Sequence, residues 1–189
     1  INLLLQDEGQ PVVWRGPLIG RTIEQFWKDI VWGELDYLVI DLPPGTGDEP
    51  IAILKSIPDL DGAIIVTTPQ EVATLVCSKA VNAAQTLGAK VLGLIENMSM
   101  YVCGDCGDTV YLFGKDKGKQ LSQMMEIPFL GSIPIDPMFS EAADSGVPVV
   151  NLHPESITAK AFTMIADTLR TQLPPKEVPE APAEESRPC

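Results

Sequence analysis

The segment Cys103-Gly104-Asp105-Cys106-Gly107 carries the most chemistry in this sequence. Two thiolates at C-x₂-C spacing can grip one edge of a metal ion or cluster, and the glycines let the backbone curl until both sulfurs face one point. Zinc and iron–sulfur clusters each take four ligands, and the chain offers two at this spacing. Cys77 falls near the buried side of a helical period and reads as a small core residue, and Cys189 lies in the terminal segment. A four-ligand site therefore needs a second copy of the chain, one cysteine pair from each subunit across a two-fold axis. A redox disulfide and a pair of unliganded thiols are the other readings. A thioredoxin-type pair normally opens a helix, whereas this one sits in a glycine-bracketed loop.

Three further clusters come directly after short apolar runs. Asp41-Leu42-Pro43-Pro44-Gly45-Thr46-Gly47-Asp48 places an acid at the end of one run. A buried carboxylate there must meet a cation or donors. Two prolines stiffen the turn, and Gly45 leaves a backbone N–H able to approach a terminal phosphate. The plainer reading is a strand-ending turn in which Asp48 caps a helix. In Glu96-Asn97-Met98-Ser99, the Asn97 amide can donate and accept at an adenine edge, or serve only as a turn residue. In Ile133-Pro134-Ile135-Asp136, a rigid proline loop could flank a base, or Asp136 could simply cap the next helix. Arg15 could pair with a phosphate or be an exposed residue beside a helix start. His153 is the only histidine and supports no triad or zinc site. There is no Gly-x-Ser-x-Gly elbow and no His-Glu-x-x-His.

The elements that position these residues can be read from apolar periodicity. Residues 36–40, 62–67, 90–95 and 128–133 are continuous apolar runs of strand length, as in strands buried on both faces of a parallel sheet. Between them lie helical periods. Ile19, Ile23, Phe26, Trp27 and Ile30 share one helix face, and Val72, Val76, Ala80, Ala83 and Leu87 share another, with Gly88 placed to end that helix. Ile157, Ala161, Ile165 and Leu169 mark a last helix begun near Pro154. Alternating helices and strands predict an α/β fold with a doubly wound, mostly parallel sheet. Ligands of such sheets sit at the carboxyl ends of the strands, where the clusters above fall.

The chain has 189 residues, the size of one domain, with 45% hydrophobic residues, enough for a core. Its formal net charge of −13 argues against nucleic acid or an anionic membrane as partner. No run of 18 apolar residues occurs, and no charged-then-apolar signal opens the chain. Residues 174–189, with five prolines and four glutamates, read as a disordered tail behind a compact unit over 1–173.

Together these strings resemble the Mrp/ApbC family of iron–sulfur cluster carrier ATPases, part of the deviant Walker A group of P-loop NTPases that also holds the Min and ParA-type proteins. The matching strings are Trp14-Arg15-Gly16-Pro17, Trp32-Gly33-Glu34-Leu35-Asp36-Tyr37, the Asp41–Asp48 string, Glu96-Asn97-Met98-Ser99, Cys103-x-x-Cys106-Gly107 and Gly131-Ser132-Ile133-Pro134-Ile135-Asp136, in family order over roughly residues 10–170. The resemblance implies a P-loop NTPase-like fold that uses ATP and Mg²⁺. Asp41 would be the switch acid near Mg²⁺ and Gly45 the sensor of the terminal phosphate. Asn97 and Pro134 would contact adenine, and Asp136 of the same loop joins the nucleotide-binding candidates. Cys103 and Cys106 would hold a labile [4Fe–4S] cluster at a homodimer interface, for transfer to apo iron–sulfur proteins, gated by ATP hydrolysis; the cysteine usage and the lack of a visible signal point to the cytoplasm. The competing classes are a Min/ParA-type regulatory ATPase and a non-catalytic zinc-bridged dimer.

The sequence departs from the family at one point. Neither Gly-x-x-x-x-Gly-Lys-[Ser/Thr] nor its deviant form occurs: Gly114-Lys115 is followed by Asp116, and Gly118-Lys119 by Gln120. The resemblance implies that the P-loop lies upstream of Ile1, so that the fold is incomplete at the N-terminus and the chain alone binds ATP poorly.

Overall fold

The computed structural model describes residues 16–43, 47–57 and 59–175. The expected tail lies almost wholly outside them, as do Trp14, Arg15 and Gly45. The described residues form, in chain order, α1 (Gly16–Asp29), α2 (Asp48–Ser56), β1 (Ala63–Thr67), α3 (Glu71–Thr86), β2 (Val91–Val102), β3 (Thr109–Val110), α4 (Lys117–Met124), β4 (Phe129–Ile135), α5 (Pro137–Ser145), α6 (Val149–Leu152) and α7 (Ile157–Gln172).

One sheet organises them. β2 is its centre, parallel to β1 on one side and to β4 on the other, and antiparallel to β3 beyond the end of β1. Neighbouring residues of β2 point to opposite faces. Leu94 packs with Val81 of α3, Leu121 of α4 and Ile127. Ile95 packs on the other face with Leu130, Ile133 and Ile165 of α7. The expected α/β class, parallel at its core and with helices on both faces, is thus present. α1 and α2 pack on each other, and a Cβ added to Gly20 would stand 3.8 Å from the Ala52 side chain.

Helix ends obey their residues. Gly88 adopts φ +80°, and the N–H groups of Gly88 and Ala89 bond back to the carbonyls of Gln85 and Ala84, closing α3 with the glycine the sequence placed there. Ser156 caps α7 by accepting from Ala159 N–H.

Two expectations are corrected. Residues 36–40 form no strand. Val39 is 88% exposed, and Tyr37 and Leu38 are also exposed. An apolar run becomes a strand only where a neighbour takes its N–H and C=O groups. Among the described residues no strand lies against this one; the Tyr37 hydroxyl anchors it by donating to the Leu173 carbonyl at 2.7 Å. The buried stripe of α3 is Cys77, Val81 and Ala84, whereas Val72, Val76 and Leu87 are exposed. Both stripes have helical spacing, and contact with β1 and α4 selects the one carrying Cys77.

Candidate functional site

β2 is twice as long as its apolar run suggests. Its inner half, through Glu96, lies between β1 and β4, and Thr67, the last residue of β1, pairs with Glu96. The strand then overhangs the carboxyl edge of the sheet, and β3 folds back on it with Tyr101 opposite Val110 and Val102 opposite Thr109. Cys103 and Cys106 occupy the tip of this hairpin.

The tip is shaped by its own backbone. Cys103 N–H donates to the Asp108 carbonyl at 2.9 Å, and Gly107 N–H donates to the Cys103 carbonyl at 2.9 Å. Gly107 sits at φ +75°, a conformation that costs other residues steric energy. Both thiols are free, Cys106 exposed and Cys103 half-buried. Backbone N–H groups of Cys106 and Asp105, helped by the Cys106 thiol, hold the Cys103 thiol below its ordinary range. A turn that stabilises thiolate is suited to a soft metal. Among the described residues no three or more Cys, His, Asp or Glu side chains gather into a metal site, so the pair offers two ligands per chain.

The nucleotide candidates fall into two groups. Asn97 pairs with Ile133, which brings it beside Pro134 at the same edge of the sheet. Among the described residues β4 has no second strand beside it, and an edge strand tolerates proline. The Pro134 carbonyl accepts from Thr158 Oγ1 of α7. Asp136 caps α5, its carboxylate accepting from Met138 N–H at 3.0 Å, so the plainer of its two readings is the geometry present. Asp41, in contrast, is exposed on the unpaired segment that continues from residues 36–40. The structure therefore joins Asn97 and Pro134 and leaves Asp41 without a described partner from either.

Glu96 was given no role by the sequence. It is 2% exposed, and its carboxylate accepts from Gly118 N–H at the start of α4 at 2.6 Å. Burial pushes its pKa up, the Gly118 bond opposes this, and nearby Asp116 adds to the rise. A Cβ on Gly118 would stand 3.0 Å from the Glu96 side chain and 3.1 Å from Leu94, so any larger residue there would press on both side chains. The available signal was an acid inside an apolar strand, which must find a donor.

A sheet with a parallel core, helices on both faces, an amide and a proline at its carboxyl edge and a dithiol arm beyond that edge defines a doubly wound α/β module. Comparison with known proteins narrows the class. Residues 1–170 match the model of the NUBPL iron-transfer P-loop NTPase family. An iron–sulfur cluster carrier protein of Saccharolobus solfataricus is 48% identical over 167 residues, 88% of this chain and 56% of that one. One from Methanocaldococcus jannaschii is 51% identical over 152 residues, 80% and 52% of the two chains. A probable cytosolic Fe–S cluster assembly factor of Schizosaccharomyces pombe is 41% identical over 185 residues, 92% of this chain and 30% of that one. Among solved structures, a nucleotide-binding protein of Archaeoglobus fulgidus in complex with ADP superposes with a TM-score of 0.61 at 43% identity, covering 68% of this chain and 53% of that one. The cell-division ATPase MinD of Pyrococcus furiosus gives 0.60 at 23% identity, covering 86% and 63%, a likeness of fold.

This chain belongs to the NUBPL iron-transfer P-loop NTPase family. It spans about half the length of the archaeal relatives it matches. Among the described residues no helix is long and apolar enough to cross a membrane.

Proposed function

We propose that this chain is the cluster-holding part of an iron–sulfur cluster carrier: two copies bridge one [4Fe–4S] cluster through Cys103 and Cys106 of each and pass it to apo-proteins. The observation that carries the reading is the free thiol pair at the tip of an overhanging hairpin, where the turn favours the Cys103 thiolate. The names of the archaeal relatives support it. For the whole protein we propose ATP binding and hydrolysis as the gate. Asp41 would hold Mg²⁺ through water, and Gly45 would meet the terminal phosphate. Asn97 and Pro134 would flank the adenine, and Asp136 would hold that loop by capping α5. The compartment proposed is the cytoplasm, as in the description of the fission-yeast relative. The cluster is cargo, so its exposure on an arm suits delivery.

The test is anaerobic reconstitution with iron and sulfide, on this chain and on Cys103→Ser/Cys106→Ser. The expected result is a brown, oxygen-sensitive chromophore in the first and none in the second. A well-folded but colourless native chain, or one that takes zinc and no iron, would overturn the carrier reading. The second of these results would favour a structural zinc dimer.

A further inference from the structure

β2 does not run straight from the sheet to the thiols. Between the pairs Asn97–Ile133 and Tyr101–Ile135 it advances four residues while β4 advances two. The surplus is taken up in a bulge, and bulges bend a strand and re-aim the residues beyond the bend. Met98 opens this bulge at φ +54°, a left-handed conformation that is strained for an unbranched L-residue other than Asn or Asp. Such strain persists only where the surroundings over-determine it.

Two side chains hold the bulge. The Asn97 Oδ1 accepts from Met98 N–H at 2.9 Å, so the residue before the bend bonds the backbone of the bend itself. Ser99, 3% exposed, donates through Oγ to the Ile133 carbonyl at 3.1 Å and ties the far side of the bend to β4. Beyond these two bonds the overhang meets the sheet through the Tyr101–Ile135 pair, and then come β3 and the thiol loop.

We propose that Asn97 is a positioning residue for the thiol pair: its carboxamide oxygen locks the left-handed bulge at Met98, and the locked bulge aims the Cys103–Cys106 loop. The consequence rests on the nucleotide reading above. A purine that recruits the Asn97 amide competes with Met98 N–H for it, so occupancy at the sheet edge is felt at the thiols along one strand, over at most about 20 Å. A released bulge beside the locked one observed here would supply the two arrangements that coupling between two sites needs.

The experiment uses the full chain and three substitutions, Asn97→Ala, Asn97→Asp and Met98→Gly, each checked by circular dichroism. Hydrogen exchange at Met98 N–H and the alkylation rates of Cys103 and Cys106 are measured without nucleotide. Asn97→Ala should speed exchange at Met98 by about fivefold, the worth of one ordinary hydrogen bond. It should also change the ratio of the two alkylation rates. Asn97→Asp keeps the acceptor and should restore both readouts, and Met98→Gly relieves the strain and should keep the native ratio. An Asn97→Ala chain that folds and shows native exchange and a native thiol ratio would overturn the proposal. So would a loss of stability with an unchanged ratio, since a merely structural Asn97 predicts that. The coupling is read separately by adding ADP at millimolar concentration, with binding followed by equilibrium dialysis. ADP that binds and shifts the thiol ratio in the native chain but not in Asn97→Ala supports it, and ADP that binds without a shift overturns it. ADP that fails to bind counts against the nucleotide reading of this chain, while the lock stands or falls on the substitutions.

Discussion

The two halves of β2 are made of one strand and do opposite work. The inner half, Leu92 to Glu96, is buried between β1 and β4 and beneath helices on both faces; Leu94 is wholly enclosed. The outer half, Met98 to Val102, pairs with two residues of β3 and leads into the half-buried Cys103 and the exposed Cys106. Apolar burial and ladder bonds hold the first. A short ladder to β3, the Tyr101–Ile135 pair, two side-chain hydrogen bonds and a glycine turn hold the second. Burial is therefore concentrated in the inner half, and the thiols stand at the end of an arm beyond it.

This contrast can be broken at either end. The largest expected effect is on the arm: Cys103→Ser/Cys106→Ser should abolish cluster binding, with a urea midpoint close to native. A coincident collapse of stability would show that the hairpin belongs to the core. Next, Leu94→Ala should cost about 2–5 kcal/mol, as full burial of a leucine implies. Iron bound per folded chain should stay native, and a parallel loss of iron would contradict the division. A smaller effect is expected at the junction. Gly118→Ala should cost about 1–3 kcal/mol, because its Cβ meets the Glu96 and Leu94 side chains. Native stability there would mean that α4 shifts freely.

The smallest effect is a slope. The Glu96 pKa is raised in the folded chain, chiefly by burial. Between the ordinary Glu value and the raised one, the folded chain keeps a proton that the unfolded chain has released. The contribution of Glu96 to stability is then greatest below the ordinary value and falls as pH rises through this window, levelling off above the raised value. Glu96→Gln should remove that decline while its amide oxygen still accepts from Gly118. Urea midpoints across the acid range would check this, and equal slopes for the two chains would refute it.

Three of the four expected strands were legible because each lies against a neighbour, and the last helix because its stripe is regular. Residues 36–40 read the same way as the other three runs, yet form no strand, since pairing is a property of neighbours and not of a run. The outer half of β2 was hidden by its polar string Glu96-Asn97-Met98-Ser99, which reads as a strand end. It continues because β3, a strand of two residues without a pattern of its own, supplies partners. α4 was hidden by Gly118 in its first turn and by Asp116, which precedes it at φ +56° without a side-chain cap. Of the site, the C-x₂-C loop was plain from spacing and glycines. The juxtaposition of Asn97 and Pro134 could be inferred from strand order. The Met98 bend could not be read, because nothing in a methionine announces a left-handed backbone.

The central claim is that one cluster is shared by two thiol pairs. Its most direct test is iron and sulfide counting on the reconstituted protein, fraction by fraction from an anaerobic sizing column. The account predicts a dimer with about two iron and two sulfide per chain, absent when Cys103 and Cys106 are serine. A complete cluster on a monomer, or a dimer of the same size without iron, would contradict it.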